Sequence, residues 1–138
     1  MNTPVNFEIA KLLKEKGYSE PTIAYRQKSA VKGDETILPL SVPNHEFCWT
    51  PVDWNNYSKK VPYYSMPTIA EVIMWLYEKH GVWLHATMSF KEFSPYIQCD
   101  WNYRQDNIKD VLEFMKQMYN SPAEAYTAAI GYTLTKLI

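Results

Sequence analysis

Glycine and cysteine are both scarce in this chain. With four glycines, it carries no Gly-rich loop of the kind that wraps a phosphate group, so no nucleotide cofactor held in that way is expected. Its two cysteines, Cys48 and Cys99, are too few for a disulfide framework. These scarcities favour a reduced, cytoplasmic protein without a cofactor.

An excess of charge of one sign is also lacking. The sequence has 14 basic and 15 acidic residues, which gives a formal net charge of −1 with both signs interspersed. Nucleic-acid-binding proteins show a basic patch or stripe, so a nucleic-acid partner is not expected. No apolar run reaches the length of a membrane span, and the N-terminal residues lack the pattern of a signal peptide. Membrane association is therefore not expected either.

Aromatic residues, in contrast, are abundant. Eleven Tyr, five Trp and five Phe make up 15% of the 138 residues, so these rings must fill a core or form an adhesive surface. The length is that of one typical domain, and 46% hydrophobic residues supply a core. We expect a single globular domain over residues 1–138.

Hydrophobic periodicity predicts helices over residues 7–16, 68–80, 107–119 and 122–137. The second has the clearest boundaries, because Thr68 and Glu71 form a capping box and Gly81 can end the helix. Its apolar residues extend beyond one stripe to Met74 and Trp75. Either the chain itself covers these two side chains, which we prefer, or a second subunit does, so a monomer or a homodimer is expected.

Between residues 82 and 101 the hydrophobic period changes to two, which predicts a β-hairpin. A turn at Lys91–Glu92 brings apolar residues opposite one another, in the pairs Phe90–Phe93, Ala86–Ile97 and Leu84–Cys99. Because Pro95 cannot donate a hydrogen bond, the second strand is predicted to be an edge strand there.

Shorter strands are predicted near Ile23 and Tyr25 and within the segment HEFCWTPV, residues 45–52. The mixture of strands and helices predicts an α+β fold. We expect a small antiparallel sheet of three to four strands, with the helices packed mainly on one face.

Two seven-residue segments, YSEPTIA from Tyr18 and YSMPTIA from Tyr64, agree at six positions. Their flanks share almost nothing, and Tyr25 follows the first segment where Glu71 follows the second. The first segment therefore leads towards a strand and the second towards a helix. A true duplication would keep a common period over a longer stretch, so we interpret the match as coincidence.

The segments YYSMPTIAEVIMWLYEKHGVWLHA and SPAEAYTAAIGYTLTKLI resemble parts of small hypothetical proteins of gut bacteria and their phages. In those proteins a helix that opens with Pro–Thr and ends in Trp–Leu–x–Glu–Lys–His precedes a hairpin and a Ser–Pro–x–Glu–Ala–Tyr helix. The resemblance covers residues 53–86 and 120–138. It implies an accessory protein of phage or mobile-element origin and supplies no functional residues.

Residue types that bind metals occur, but their spacing is unfavourable. His45, Cys48, His80, His85 and Cys99 include neither a Cys-x-x-Cys nor a His-x-x-x-His pair. In addition, His85 and Cys99 face opposite sides of the predicted hairpin. We therefore expect no metal site. The sequence also lacks a Gly-x-Ser-x-Gly motif, so no catalytic residue is assigned.

The most distinctive predicted surface is the polar face of the hairpin. In the predicted register Trp83 lies opposite Asp100, His85 opposite Gln98, and Thr87 opposite Tyr96. Large rings beside hydrogen-bonding groups are typical of surfaces that bind a ligand or a peptide. The alternative is an ordinary solvent-exposed sheet face, with Trp83 covered by the proline-rich segment. The candidate binding residues are Trp83, His85, Tyr96, Gln98 and Asp100.

These features favour a non-catalytic binding or interaction module whose partner is a protein or a small molecule. The support is the lack of a catalytic motif, a cofactor loop and a charged surface, combined with many aromatic residues. The alternative is a small hydrolase or nucleotide-modifying enzyme that uses His85 and Asp100 on the polar face of the hairpin.

Overall fold

The computed structural model describes residues 3–42, 50–100 and 108–138. Within these residues the chain forms two compact units. The N-terminal unit spans Pro4–Pro67, and the C-terminal unit spans Thr68–Ile138 together with Thr3. The expectation of one globular domain over residues 1–138 stays a prediction. No helix of the described residues is long and apolar enough to cross a membrane.

The N-terminal unit combines one helix with a short sheet. Helix α1 (Phe7–Glu15) begins where the Asn6 side chain accepts a hydrogen bond from the Ile9 N–H, and it ends within one residue of the predicted position. Strands β1 (Tyr25–Gln27) and β2 (Tyr63–Ser65) pair in antiparallel fashion. A 3₁₀ turn over Trp54–Asn56 contacts β2.

The strand predicted within residues 45–52, with Pro51 as its end, lies largely outside the described residues. Val52, the residue after Pro51, forms an isolated antiparallel bridge with Thr22. Each of these residues donates its N–H to the carbonyl of the other, at 2.9 and 3.0 Å. The strand itself therefore stays a prediction, and the described pairing begins just after it.

A buried asparagine joins the loops of this unit to its sheet. Asn55 Oδ1 accepts a hydrogen bond from the Ser65 N–H at 2.9 Å, and Asn55 Nδ2 donates one to the Tyr18 carbonyl at 2.8 Å. The Asn55 N–H donates to the Ser65 hydroxyl at 3.2 Å. Asn55 and Ser65 are both buried, so these bonds are protected from water. They connect the 3₁₀ turn to β2 and to the segment that follows α1.

The C-terminal unit begins with helix α2 (Ile69–His80), as predicted. Thr68 and Glu71 form the capping box, and Gly81 ends the helix with a left-handed φ of 64°. Trp75 is 5% exposed, so the chain itself covers this ring. Met74, in contrast, is 45% exposed.

The predicted hairpin is present, but its predicted register is wrong by two residues. Strands β3 (Trp83–Ser89) and β4 (Glu92–Gln98) pair around a turn at residues 90–91, so Leu84 lies opposite Ile97 and not opposite Cys99. Likewise Ala86 lies opposite Pro95, and Met88 opposite Phe93. A shift of two keeps the alternation of side chains, so the apolar and polar faces are the predicted ones.

Pro95 explains the observed register. In an antiparallel pair, residues alternate between positions whose N–H points to the partner strand and positions whose N–H points away. With the turn at residues 90–91, Pro95 occupies an outward position, as does Phe93, whose N–H donates to the Tyr119 carbonyl at 2.8 Å. With the predicted turn at Lys91–Glu92, Pro95 would face β3 and a ladder hydrogen bond would be lost. Among the described strands β3 is the one that pairs with β4, and the isolated bridge on the other side of β4 is at Phe93, so the prediction of an edge strand at Pro95 is confirmed.

Helix α3 (Ile108–Met115) ends four residues earlier than predicted. The cause is a contact that is distant in sequence. The Tyr119 N–H donates to the Phe93 carbonyl at 2.7 Å, and the Phe93 N–H donates back to Tyr119, so that Tyr119 forms a bridge with β4. A residue paired in this way cannot continue a helix, because its backbone groups are already used.

Helix α4 (Pro122–Tyr132) begins at Ser121, whose hydroxyl accepts a hydrogen bond from the Glu124 N–H, and it continues as a π turn over Thr133–Leu137. This helix packs on both strands of the hairpin, while α2 packs on β3 and α3 on β4. The α+β class is confirmed: the described residues contain helices packed on two antiparallel sheets of two strands each. The buried core of the unit includes Val72, Leu76, Leu84, Ile97, Ile130 and Leu134.

Replacing Asn55 by alanine is expected to destabilise the protein by about 3 kcal/mol, because it removes the bonds that the Asn55 side chain makes with the buried Tyr18 carbonyl and Ser65 N–H. Chemical denaturation followed by circular dichroism measures this loss. Asn56→Ala is the control, since the bond from Asn56 to Asp53 is exposed and its removal should cost less than about 0.5 kcal/mol. Equal losses in the two variants would show that Asn55 has no special role.

The register predicts that proline destabilises the protein to different extents at two adjacent exposed positions of β3. Thr87 pairs with Ser94 at an inward position, so Thr87→Pro removes a ladder hydrogen bond and should cost more than about 2 kcal/mol. Met88 pairs with Phe93 at an outward position, so Met88→Pro should cost distinctly less. Thermal unfolding of both variants checks this order, and the reverse order would contradict the register.

Candidate functional site

The predicted polar face of the hairpin is open. We call it the outer face; it consists of Trp83, His85, Thr87 and Ser89 on β3 and of Glu92, Ser94, Tyr96 and Gln98 on β4. None of these eight side chains is buried. Trp83 is 38% exposed, so this ring is accessible to a ligand.

The structure brings four of the five candidate binding residues together in pairs. Trp83 lies opposite Gln98, and His85 lies opposite Tyr96 with ring centroids 4.5 Å apart. Asp100 follows the end of β4 and is four residues beyond Tyr96. The predicted pairs Trp83–Asp100, His85–Gln98 and Thr87–Tyr96 are therefore wrong, because Pro95 sets a different register in which Thr87 lies opposite Ser94. The corrected register separates His85 from Asp100 by two more positions than predicted.

An aromatic cleft adjoins the outer face at the open end of the hairpin. The Trp83 ring meets the Tyr77 ring of α2 edge to face, with centroids 5.5 Å apart and an interplanar angle of 78°. Gly81 places the two rings together, because its left-handed backbone turns the chain from α2 directly into β3. The cleft has a volume of about 610 Å³ and is lined by Met74, Tyr77, Gly81, Trp83, Gln98 and Cys99.

The cleft is formed mainly by apolar groups that water can reach. Met74 is 45% exposed and Tyr77 is 54% exposed. The hydrogen-bonding side-chain groups of the lining include the amide of Gln98, the hydroxyl of Tyr77 and the indole N–H of Trp83, and no lining residue carries a formal charge. Such a cleft is suited to an uncharged ligand, because a charged group that left water here would find no counter-charge.

Sequence reasoning missed Met74, Tyr77 and Cys99 as lining residues. Met74 and Tyr77 are three residues apart on α2, which puts them on one side of the helix, away from its buried stripe. The short link from Gly81 to Trp83 then directs β3 back along that side. The signal was therefore available: two large apolar residues off the buried stripe, followed closely by a helix stop and an outward Trp.

A second, smaller cavity lies between β4 and α3. Its volume is about 260 Å³, and it is lined by Tyr96, Ile97, Ile108, Val111, Leu112 and Met115. The Ile97 N–H points into this region and contacts Met115 Sδ at 3.3 Å. Helix α3 therefore covers the outward N–H of β4 at Ile97, and Tyr119 covers the one at Phe93, so this edge of β4 is protected.

The aromatic residues of the N-terminal unit pack mainly against each other. Tyr25 stacks on Trp54 with centroids 4.1 Å apart, and Tyr63 lies 5.8 Å from the same indole. Burial raises the pKa of Tyr63, and the neighbouring Tyr25 and Tyr57 add to this rise. These rings cover part of one another's surface, so the cluster contributes to the packing of the N-terminal unit.

Within the described part of the chain, no three His, Cys, Asp or Glu side chains are grouped as a metal site requires. His80 contacts the buried Trp75, with ring centroids 4.7 Å apart. His45 and Cys48 lie outside the described residues.

Comparison with known proteins adds no family to this description: no protein-family model, curated protein or solved structure matches the chain. The outer face and the aromatic cleft are therefore interpreted from their geometry.

Proposed function

We propose that this protein is a non-catalytic binding module that holds a small, uncharged, ring-containing molecule in the aromatic cleft. The observation that carries the proposal is the convergence of Met74, Tyr77 and Trp83, each between 38% and 54% exposed, around the amide of Gln98. Large apolar side chains are rarely left in water in such a group without a partner.

The chemistry of the lining defines the ligand class. The Tyr77 and Trp83 rings stand nearly perpendicular to each other, so a flat ligand can stack on one ring while its rim meets the face or edge of the other. The Gln98 amide can both donate and accept a hydrogen bond, which suits a ligand with an amide-like group. A volume of about 610 Å³ is within the usual range for small-molecule sites.

The outer face extends this site. His85 and Tyr96 continue the line of side chains from Trp83 and Gln98 along the hairpin, and they offer further ring and hydrogen-bonding groups. The proposed setting is the cytoplasm, in an accessory protein of phage or mobile-element origin. The scarcity of cysteine supports the compartment, and the sequence resemblance supports the origin.

Benzamide is a suitable probe, because it combines an uncharged ring with an amide. We expect it to bind with a dissociation constant in the millimolar range or below and to shift the NMR signals of the Trp83 indole N–H and the Gln98 side-chain amide. Benzoate has the same shape but carries a charge, so it should bind on the order of tenfold more weakly.

Two matched variants, Tyr77→Ala and Tyr57→Ala, distinguish binding in the cleft from nonspecific binding to exposed aromatic rings. Tyr77 is 54% exposed and Tyr57 is 57% exposed, and each contacts a Trp, but Tyr57 belongs to the N-terminal unit. Tyr77→Ala should abolish the benzamide shifts, and Tyr57→Ala should leave them unchanged. Equal binding of benzoate, or equal loss in both variants, would contradict the proposal. A reproducible enzymatic activity that His85→Ala removes would refute the non-catalytic role.

A further inference from the structure

The turn of the C-terminal hairpin carries a side chain that the fold of this chain does not explain. Phe90 is 97% exposed and has a φ of +57°, which makes it the single non-glycine residue with positive φ among the described residues. A two-residue turn with positive φ at its first position favours glycine there, and a bulky side chain is unfavourable in that conformation. Both the backbone and the exposure oppose the choice of Phe, so its ring is best explained by a contact outside this chain.

Phe90 has the chemistry that the aromatic cleft is suited to bind. Its side chain is an uncharged ring, and the cleft is lined by rings and a thioether without a formal charge. The bond that closes a two-residue turn does not use the peptide group between the two turn residues. The Phe90 carbonyl can therefore accept a hydrogen bond from the Gln98 amide of a cleft that receives the ring.

The cleft that receives Phe90 cannot be the one in its own chain. The cleft lies at the open end of the hairpin, beside Trp83 and Gln98, and Phe90 lies at the turn, beyond the seven residues of β3. A strand of that length spans about 20 Å. If the outer faces of two copies approach with their hairpins antiparallel, however, the turn of each copy lies over the open end of the other. One two-fold operation then brings both rings to a cleft.

We infer that the protein forms a symmetric homodimer in which Phe90 of each copy occupies the aromatic cleft of the other, with the two outer faces in contact between the clefts. The inference rests on the proposed function, because it uses the same cleft. A ligand in the cleft and Phe90 of the second copy exclude each other. Ligand binding therefore shifts the equilibrium towards the monomer, and the ligand controls the assembly of the protein.

The exposed apolar surface is large enough for such a dimer. At about 200 Å² for a fully exposed ring, the exposed parts of Phe90, Tyr77, Trp83 and Tyr96 amount to roughly 900 Å² over two copies. The exposed thioethers of Met74 and Met88 add to this area. The total exceeds the ~1,000 Å² that a specific interface requires and is typical of a weak, reversible dimer.

The charges near the two contact regions are complementary. Lys91 follows Phe90 directly, and Glu78 is four residues after Met74, so Glu78 lies on the same side of α2 as the cleft. Both side chains are exposed, and docking of Phe90 brings Lys91 of one copy towards Glu78 of the other. The formal charge on the outer face itself is that of Glu92, beside the turn. The two-fold arrangement keeps the two copies of Glu92 at opposite ends of the interface.

Sedimentation equilibrium of the full chain, from micromolar to millimolar concentrations, should give a mass that rises from 16.2 kDa towards twice that value. Phe90→Asn removes the ring and keeps a residue that tolerates positive φ, and Tyr77→Ala removes one wall of the cleft. Each should weaken the dimer on the order of tenfold or more while circular dichroism shows a folded chain. Val31→Asn is the matched control and should leave the dimer unchanged, because Val31 is an exposed apolar residue of the N-terminal unit.

Mixing the two variants tests the contact itself. Phe90→Asn keeps its cleft and Tyr77→Ala keeps its ring, so a mixed pair regains one of the two contacts. The equimolar mixture should therefore show a higher average mass than either variant alone at the same total concentration. Benzamide should lower the mass of the wild-type dimer.

A wild-type chain that remains monomeric would overturn the inference, as would a mixture no heavier than its components or a dimer that both variants and benzamide leave intact. Benzamide binding to Phe90→Asn separates this failure from that of the proposed function. This variant keeps every lining residue of the cleft, so NMR shifts at its Trp83 and Gln98 would show that the cleft binds a ring without a dimer.

Discussion

The missing N–H of Pro95 is the constraint on which the C-terminal unit depends. It removes the register in which residue 95 would bond to β3, and it leaves the register with a turn at residues 90–91. That choice puts Gln98 opposite Trp83, frees the Phe93 backbone to bond with Tyr119, and places Phe90 at the tip of the hairpin. The cleft, the early end of α3 and the exposed turn are all consequences of one imino acid.

The sequence allows the faces of the hairpin to be predicted more safely than its register. A period of two determines which residues share a face, and a shift of two residues changes nothing in that pattern. Apolar agreement alone therefore cannot separate a pairing of Leu84 with Cys99 from the observed pairing with Ile97. The two registers differ in whether residue 95 would have to donate its N–H to β3, which a proline cannot do. The end of α3 is harder to predict, because Tyr119 leaves the helix to bond with Phe93, a residue far away in the sequence.

The two PTIA segments show how far local sequence can be trusted. Thr68 caps α2 through a reciprocal pair of bonds: its hydroxyl accepts from the Glu71 N–H at 3.2 Å, and its own N–H donates to the Glu71 carboxylate at 2.6 Å. Thr22, in the same local sequence, pairs its backbone with Val52 and donates its hydroxyl to the Ala24 carbonyl at 3.0 Å. Without a Glu to complete the box, the first segment forms extended structure. One residue beyond the shared seven decides between a helix and a strand, so the match carries no evidence of duplication.

The aromatic content that stands out in the sequence serves different purposes in the two units. In the N-terminal unit, Trp54 stacks with Tyr25 and donates its indole N–H to the buried Thr22 carbonyl at 2.8 Å. Its ring is therefore packed on its face and hydrogen-bonded at its edge. In the C-terminal unit, Trp83 contacts Tyr77 and remains 38% exposed, and Tyr96 remains 42% exposed. Burying a large ring stabilises a fold by roughly 1.5–3 kcal/mol, and an exposed ring forgoes part of that gain. Among the described residues the exposed rings are concentrated on the hairpin and on the helix that leads into it, and this uneven distribution is why the proposed binding site lies in the C-terminal unit.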